Sequence, residues 1–374
     1  MTNRIFLSPP HQNGRELPLI QEVLDSNYLA PVGPMLDRLE AEMCRVTGIP
    51  HCLAVTSGTA ALHLALRHLC DHRSRQDPRP PIVIAASLSF VASVAPAIHL
   101  GCEVWFCDAE AESWTLDPIQ LSHALSEAKA ENREVLCVLP TDLYGQACDL
   151  AAIHGLCDPA GIPVLCDSAE ALGVKREGPD PWAQIFSFNG NKIITSSGGG
   201  ILASHDEKLI AHARKLASQA RENFVHYEHR EIGYNFRMSN LLAAVAVAQL
   251  ETLDDRVSKR RQIFAGYKKR LADVEGISFM PEANWNTCTH WLSVIRIDPE
   301  IFGADREKIR LALEAENIES RPVWKPLHQQ PALRQLRMFG GRVSDQLFNE
   351  GLCLPSGSQL TENDQDRICE VICK

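Results

Sequence analysis

Short apolar runs alternate with helix-like stretches between residues 51 and 203. The runs do not alternate polar and apolar positions, so they indicate strands covered on both faces of a sheet. Their alternation with helices predicts a mainly parallel sheet and an α/β architecture. The predicted strands are HCLAVT, PIVIAA, EVWFCD, EVLCVLP, IPVLCD, IFSF and GILAS, and helical patterns such as SGTAALHLALRHL, SFVASVAPAIHLG and DLAAIHGLCDPAG follow three of them.

Helical patterns dominate from about residue 205 onward. DEKLIAHARKLASQA is one, and the stretch from SNLLAAVAVAQL to RQIFAGYKKRLADV predicts a single long helix that joins a core to a further domain. The remaining chain mixes strand-like and helix-like segments, which favours a small α+β domain. The predicted organisation is a large domain over residues 1–250 and a small C-terminal domain over 251–374.

The composition narrows the range of partners and locations. A net charge of −10 argues against nucleic acid, whose binding proteins usually carry a basic face. No apolar stretch approaches the ~20 residues of a membrane helix, and the N-terminus lacks a signal pattern. Thirteen cysteines without a CxxC pair indicate reduced thiols. We therefore expect a cytoplasmic protein that binds small molecules or other proteins, with no nucleic acid or membrane partner.

The first candidate for chemistry is TSGTAAL, where a strand turns into a helix. Ser57, Gly58 and Thr59 stand at the helix start, where unpaired N–H groups and the helix dipole favour an anion such as phosphate. The alternative is an ordinary helix cap. Because the chain contains no GxGxxG or GxxxxGK[ST] motif, the usual markers of nicotinamide and nucleoside-triphosphate folds are absent.

Two later strand ends carry an acid and an amine. Asp167 ends the strand of PVLCDSAEALG and Glu170 follows it, either as helix caps or as anions aimed into a ligand crevice. Lys192, in SFNGNKIITSSGGG, is either a solvated loop charge or a desolvated amine able to form an imine. A phosphate seat, an acid and an amine on successive strand ends are what pyridoxal phosphate requires.

The sequence resembles the DegT-type nucleotide-sugar aminotransferases, which are pyridoxal-phosphate enzymes of the aspartate-aminotransferase fold (fold type I). The likeness spans nearly the whole chain, and its ordered matches make it specific. The matching segments are NYLAPVGPMLDRLE, VTSGTAALHLAL, SLSFVASVAPAI, PTDLYGQACDL, LCDSAEALG, FSFNGNKIITSSGGGIL, GYNFRMSNLLAAVAVAQL and RPVWKPLHQQP.

The resemblance assigns roles around the cofactor ring. Lys192 matches the lysine that forms the internal aldimine and shuttles the proton, and Asp167 matches the acid that pairs with the ring nitrogen. Phe90 matches the aromatic side chain that stacks on the ring. Glu170 stands where many relatives have Gln or His, and it meets the phenolic oxygen only if one of the two carries a proton.

The resemblance also assigns the phosphate seat and the oligomeric state. Gly58, Thr59 and Ala60 are expected to hold the phosphate through backbone groups and the threonine hydroxyl, and Ser187 adds a second hydroxyl. Asn235 matches the residue that reaches the phosphate from the neighbouring subunit. A homodimer with shared active sites is therefore implied.

The motifs look most similar to the subgroup that acts on UDP-linked 4-keto-6-deoxy-N-acetylhexosamines. The resemblance implies that glutamate donates the amino group and that Lys325 and His328 contact the sugar nucleotide, although both positions also suit a solvated loop. The alternatives are a GDP- or dTDP-linked keto sugar aminated at C3 or C4, and a non-catalytic ligand-sensing protein. A related sugar dehydratase lacks the Schiff-base lysine, so Lys192 argues against it.

Three further features are assigned no role in the reaction. His68 and His72 stand four apart on one helical face, a spacing that suits zinc, but the sequence offers no evident third ligand, so no metal site is predicted. His226 and His229 lie in a polar loop before Asn235, which either closes over the substrate or, more simply, is mobile surface. The glycines 198–200 predict a tight turn with close backbone approach near the lysine.

Overall fold

The computed structural model describes residues 3–73 and 77–374. Within these residues the helices are α1 (Glu16–Ser26), α2 (Pro34–Thr47), α3 (Gly58–His72), α4 (Ala95–His99), α5 (Pro118–Ala130), α6 (Leu150–Cys157), α7 (Glu207–Ala217), α8 (Asn240–Leu250), α9 (Leu253–Arg270), α10 (Pro299–Phe302), α11 (Arg306–Ala315), α12 (Arg342–Glu350) and α13 (Glu362–Ile372). Short 3-10 helices span Val91–Ser93, Asp158–Ala160 and Leu327–Gln329.

The same residues form fourteen strands, several of them only two residues long. They are β1 (His51–Val55), β2 (Ile82–Ala86), β3 (Glu103–Cys107), β4 (Val135–Leu139), β5 (Leu165–Asp167), β6 (Lys175–Arg176), β7 (Ala183–Ser187), β8 (Gly200–Ser204), β9 (Ile277–Phe279), β10 (Asn286–Thr287), β11 (Ser293–Ile297), β12 (Arg321–Pro322), β13 (Met338–Phe339) and β14 (Gly351–Leu354).

A mainly parallel sheet forms the centre of the molecule. One half has the order β1-β8-β7-β5 and the other half has the order β13-β3-β2-β4. Single parallel bridges, Val138 to Val164 and Thr141 to Asp167, join β4 to β5 and connect the halves. Only β8 runs antiparallel to its neighbours in this sheet. The predicted α/β fold with a mainly parallel sheet is confirmed.

The apolar runs become fully covered strands, as their lack of alternation predicts. Every residue of β2 and β8 is buried, and so are the last four residues of β1, β3 and β4. Helices such as α3 and α7 cover one face of the sheet, and α5 and α6 cover part of the other. Burial on both faces explains why the strands tolerate no polar alternation.

The C-terminal part of the chain forms a separate antiparallel sheet of order β12-β14-β11-β9. Residues of α9, α11 and α13 pack on it in a core of their own. However, β13 leaves this region and pairs in parallel with β3 of the central sheet. The domain boundary near residue 250 stays a prediction.

Two predicted helices differ from the structure. The long pattern after residue 239 is two helices, because Thr252 adopts φ −118° and ψ 15° and interrupts the backbone between α8 and α9. The two halves also pack on different partners: α8 on α1 and α2, and α9 on α13 and β11. Residues 89–101 form only a 3-10 turn and the short α4, because Pro96 has no N–H to continue an earlier helix and is tolerated only in the first turn of α4.

All thirteen cysteines are free in the structure, and ten of them are buried. This agrees with the expectation of reduced thiols that pack as small apolar side chains. Among the described helices, none combines the length and the apolar character that a membrane crossing requires.

Candidate active site

The carboxyl ends of the parallel strands meet at one edge of the central sheet and enclose a cavity of about 360 Å³. Ligands of open α/β sheets bind at this edge. β1 leads there into α3, β5 ends at Asp167, and β7 ends at Ser187. The cavity is lined by Ser57, Gly58, Thr59, Leu62, Ser89, Phe90, Ala92, Ser93, Thr141, Asp167, Ala169, Glu170, Ile185, Ser187, Asn189, Asn191, Lys192, Gly198, Gly199 and Trp324.

The start of α3 forms one wall of this cavity. Ser57 caps the helix, and its Oγ accepts a hydrogen bond of 3.0 Å from the Ala60 N–H. Gly58 and Thr59 line the cavity, where the first N–H groups of a helix have no partner within the helix. Ala60, which was expected to help hold the phosphate, instead donates its N–H to the capping Ser57 and does not line the cavity. The helix start is placed to bind an anion.

Close packing of the backbone explains the glycines beside this helix start. Gly200 opens β8, and a Cβ on it would lie 2.5 Å from the Gly58 nitrogen. Gly199 has φ +115°, in the left-handed region that favours glycine. The structure therefore shows the turn and the close backbone approach that the three glycines predict.

Lys192 reaches the cavity from the loop between β7 and β8. Its Nζ lies 3.6 Å from Glu170 Oε1 and 4.2 Å from the centroid of the Trp291 ring. Only 13% of the side chain is exposed. The ammonium group is therefore desolvated and held against a carboxylate, rather than being a solvated loop charge.

The loop that carries Lys192 is anchored on both sides. The Asn191 carbonyl accepts hydrogen bonds from Ser8 Oγ at 2.7 Å and from Trp291 Nε1 at 2.8 Å. The buried Phe188 donates its N–H to the Gly199 carbonyl at 3.0 Å. These contacts fix the backbone from which the lysine amine projects.

Asp167 is buried across the cavity from the helix start and has defined partners. Its Oδ2 accepts a hydrogen bond of 2.6 Å from Ser93 Oγ, and its Oδ1 accepts one of 3.1 Å from the Ala169 N–H. Ser93 in turn lies 2.7 Å from Ser89 Oγ. Burial raises the pKa of Asp167, while the hydrogen bonds and Lys192 act in the opposite direction.

Glu170 is a second buried carboxylate beside the lysine. Its Oε2 accepts a hydrogen bond of 2.9 Å from the Tyr144 N–H, and its Oε1 accepts one of 3.2 Å from Trp324 Nε1. Burial raises the pKa of Glu170, and the charge of Lys192 opposes that rise. The two carboxyl groups and the lysine amine therefore influence one another's protonation.

Aromatic side chains form the mouth of the cavity. Phe90 is 50% exposed, and its ring centroid lies 5.2 Å from that of Trp324, which in turn stacks on Tyr144. Tyr144 Oη accepts a hydrogen bond of 2.8 Å from the Trp324 N–H. An apolar ring left this exposed at a cavity is not a core residue, in agreement with the ring-stacking position expected for Phe90.

The cavity opens past Phe90 and Trp324 into a larger space of about 1110 Å³, which both residues also line. Lys325 and Arg321 lie on the wall of this outer cavity. His328 does not. Its Nδ1 lies 2.7 Å from Ser87 Oγ and its Nε2 lies 2.9 Å from Asp345 Oδ1. The structure thus brings Lys325, but not His328, to the predicted substrate region.

Asn235 lies away from Lys192 within one chain. It is exposed and lines a separate surface cavity with Gln219 and Arg237. Contact between Asn235 and the cofactor phosphate therefore requires a second subunit, and it stays a prediction. His226 and His229 are also exposed, and His229 Nδ1 contacts the Gln219 carbonyl at 2.9 Å.

Sequence reasoning missed the residues that support the charged groups. Ser93, Tyr144, Trp291 and Trp324 touch Asp167, Glu170 or Lys192 from segments that lie 26 to 154 residues away along the chain. No local pattern marks such contacts. The available signal was that Ser93, Tyr144 and Trp324 lie in the family-matching segments SLSFVASVAPAI, PTDLYGQACDL and RPVWKPLHQQP.

The residues present fit pyridoxal phosphate. One buried side chain offers an amine, another offers a carboxylate, and the start of α3 offers an anion seat, all around a single cavity. The helix start is tightly packed at Gly58. A Cβ on Gly58 would lie 3.3 Å from Ile185 Cδ1 and 3.4 Å from Ser187 Cβ. A larger side chain at this position would narrow the floor of the cavity.

Comparisons with known proteins agree with this geometry. Residues 10–373 match the DegT/DnrJ/EryC1/StrS aminotransferase family. The chain is 44% identical to the "Putative pyridoxal phosphate-dependent aminotransferase EpsN" of Bacillus subtilis, over 100% of this chain and 96% of that protein. It is 32% identical to the GDP-perosamine synthase of Vibrio cholerae, over 97% and 96% of the two chains.

A solved structure shows the same fold. The crystal structure of a DegT DnrJ EryC1 StrS aminotransferase from Brucella abortus superposes with a TM-score of 0.87 at 26% identity, covering 96% of this chain and 94% of that one. The predicted fold type, enzyme class and cofactor are confirmed. The chain belongs to the DegT/DnrJ/EryC1/StrS family and is a pyridoxal-phosphate-dependent aminotransferase.

Proposed function

We propose that this enzyme transfers an amino group from glutamate to the ketone of a sugar nucleotide. The observation that carries the proposal is the placement of Lys192 and Asp167 around one cavity that opens into a space of about 1110 Å³. The inner cavity suits the cofactor, and the outer space is large enough for a nucleotide-linked sugar.

Pyridoxal phosphate supplies an electron sink for the carbanion that forms when a substrate carbon loses its proton. Lys192 moves that proton. Its Nζ, in the neutral form, accepts the proton from the donor carbon and later returns one to the carbon of the former ketone. The nearby Glu170 carboxylate, 3.6 Å away, would stabilise the ammonium form whenever Lys192 holds a proton in transfer.

Asp167 keeps a proton on the ring nitrogen of the cofactor. A carboxylate in a buried site favours the protonated nitrogen strongly, because little water screens the pair. Ser93 and the Ala169 N–H hold the two carboxylate oxygens in place. The aspartate therefore needs no reorganisation when charge develops on the ring.

The aromatic mouth separates the chemistry from solvent. Trp324 donates to Glu170 and stacks on Tyr144, and Phe90 stands beside it at the opening. Bound substrate would fill the space next to these rings and displace water. Exclusion of water strengthens the interaction of Lys192 with Glu170 and protects the reacting groups from hydrolysis.

For the acceptor we propose a UDP-linked 2-acetamido-2,6-dideoxy-4-keto-hexose, aminated at C4. The exposed Lys325 on the outer cavity supports a diphosphate contact, since an ammonium group binds phosphate oxygens well. The relative from Vibrio cholerae is named for a GDP-linked sugar. A GDP- or dTDP-linked sugar, aminated at C3 or C4, is therefore the alternative that the test must distinguish.

A panel of UDP-, GDP- and dTDP-linked keto sugars, incubated with enzyme and glutamate, tests the proposal. We expect mass spectrometry to show conversion of ketone to amine with the UDP-linked 4-keto sugar first. Conversion of only a GDP- or dTDP-linked sugar would leave the enzyme class intact and overturn the substrate. Lack of amination of every sugar by a yellow, glutamate-responsive enzyme would overturn the substrate class.

We also propose that the enzyme acts as a homodimer with shared active sites. The segment around Asn235 exposes large apolar side chains, including Val225, Tyr227 and Ile232, of a kind usually covered by a partner. Light scattering at micromolar concentration should give twice the chain mass. An Asn235→Ala variant should remain dimeric but bind the cofactor more weakly, and unchanged cofactor affinity would contradict the role across the interface.

A further inference from the structure

Three histidines converge at the far end of α3, the helix whose start forms the anion seat. His68 and His72 come from α3, and His212 comes from α7, which packs against it. Their ring centroids lie 4.3 to 5.3 Å apart. Each offers one ligand nitrogen, and these three nitrogens all lie within 4.8 Å of one another. The structure thus provides the third ligand that the sequence did not show.

Hydrogen bonds to other groups orient two of the rings. His72 Nδ1 lies 2.8 Å from the His68 carbonyl and is therefore the protonated nitrogen, which leaves the lone pair on Nε2. His212 Nε2 lies 3.4 Å from Glu231 Oε2, and donation there leaves the lone pair on Nδ1. Donation of the second nitrogen to a carbonyl or carboxylate is the usual arrangement of a metal-binding histidine.

The distances suit a tetrahedral ion. The Nδ1 atoms of His68 and His212 lie 3.1 Å apart. With bond lengths of about 2.05 Å, two nitrogens on a tetrahedral zinc ion are separated by about 3.3 Å.

Another buried cluster in the described chain does not offer comparable ligands. Asp142, Cys148 and Cys166 lie close together, but the Asp142 carboxylate already pairs with Arg176 and accepts a hydrogen bond from Ser168 Oγ. The hydrogen bond with Cys166 and burial also raise the pKa of Cys148, which favours the protonated thiol. The histidine cluster differs because its side chains are half-exposed or exposed, so an ion from solvent can reach them.

We propose that His68, His72 and His212 form a binding site for a divalent transition-metal ion, with zinc as the ion of best fit. Three imidazole nitrogens occupy three positions, and a water molecule would complete the tetrahedron. The ion links α3 to α7. Because α3 begins at the anion seat, the ion fastens the helix that positions the cofactor phosphate.

Metal binding to tag-free holoenzyme tests the proposal. After a chelator has removed bound metal, equilibrium dialysis against Zn²⁺ should show one zinc ion bound per wild-type chain. The His212→Ala and His72→Ala variants should each bind zinc at least about 100-fold more weakly than the wild type. Removal of a residue that only hydrogen-bonds to a metal ligand typically lowers metal affinity about 10–100-fold, so removal of a ligand itself should lower it more. The matched control is His123→Ala, an exposed histidine on α5.

X-ray absorption of the zinc form should show nitrogen ligands at about 2.0–2.1 Å. Zinc should also raise the apparent Tm of the wild type and of His123→Ala more than that of His72→Ala, because a ligand that binds only the folded state stabilises it. Equal zinc affinity in the wild type and both cluster variants, or no bound zinc in the wild type, would overturn the proposal. Because His72 is exposed, the His72→Ala variant should fold normally, and it therefore tests the site even if His212→Ala is misfolded.

Discussion

The two ends of α3 differ in how deeply their polar side chains are buried. Its start borders a cavity in which Asp167, Glu170 and Lys192 are charged or titratable groups shielded from water. Its other end carries His68, which is half-exposed, and His72, which is exposed. Burial of a charge is costly and requires fixed partners, whereas a neutral imidazole near the surface needs few.

The buried groups at the start of α3 accordingly have several fixed partners each. Each buried carboxylate has at least two donors, and the lysine has a carboxylate and an aromatic ring. We infer that the first site is a preorganised catalytic centre, sensitive to any substitution. The second site keeps its shape without a ligand, so an ion there would add stability rather than chemistry.

The largest expected effect comes from Lys192→Ala. Without the amine, proton transfer to and from the substrate carbon loses its catalyst, so turnover should fall by at least about 10³-fold. Product formation from glutamate and keto-sugar nucleotide, followed by mass spectrometry, measures the loss. The control is Lys175→Ala, an exposed lysine in β6. Borohydride trapping and peptide mapping should label position 192 in the wild type, and a label elsewhere would reject this assignment.

A somewhat smaller effect is expected for Asp167→Asn. The variant keeps the size of the side chain and can still accept from Ser93, but it removes the charge that holds the proton on the ring nitrogen. Turnover should fall by about 10²–10³-fold, the range for loss of one preorganised electrostatic group, with cofactor still bound. Absorbance spectra establish the binding and steady-state assays establish the rate. Wild-type turnover in this variant would remove the electron-sink argument.

The same variant should change how stability depends on pH in cofactor-free protein. Burial raises the folded-state pKa of Asp167 above its value in the unfolded chain. Between those two values the folded state binds more protons, so the free energy of unfolding falls as pH rises through that window. We therefore compare the Tm of Asp167→Asn with the Tm of the wild type at each pH. The variant's Tm minus the wild-type Tm should increase as pH rises above about 4, which is the pKa of an aspartate in the unfolded chain. A difference that shrinks with pH would contradict the burial argument.

The smallest expected effect is on stability and comes from the histidine end of α3. In the presence of a chelator, His72→Ala should change the free energy of unfolding by at most about 0.5 kcal/mol, as for most surface substitutions. Thermal unfolding of wild type and variant, side by side in chelator, measures the difference. A large loss in chelator would show that the cluster is an integral part of the core, and the contrast between the two ends of α3 would fail.

Local chemistry in the sequence was enough to predict much of the active site. Apolar strands that end in Asp167 and Ser187 bring those residues to one edge of a parallel sheet, whatever the details of packing. The interruption at Thr252 was not predictable, because helical periodicity continues through it and only the packing of α8 and α9 on different partners shows the break.

Contacts between distant segments account for what the sequence could not show. Ser93 and Trp324 meet Asp167 and Glu170 across large separations along the chain, and no spacing rule relates them. His328 appeared to be a substrate contact beside Lys325, yet Ser87 and Asp345 hold its ring away from the outer cavity. Neighbours in a loop can face opposite sides of it, so sequence proximity does not establish a shared site.

The sequence by itself determined the mainly parallel α/β fold and the family to which the chain belongs, and it singled out the acid, the amine and the helix start as candidates for the site. These follow from local patterns and ordered motifs, which depend on neighbouring residues. Only the tertiary structure decided which partners hold the buried charges and that His212 completes a cluster with His68 and His72. Such contacts depend on how helices and strands pack in space, and packing joins residues that no local pattern connects.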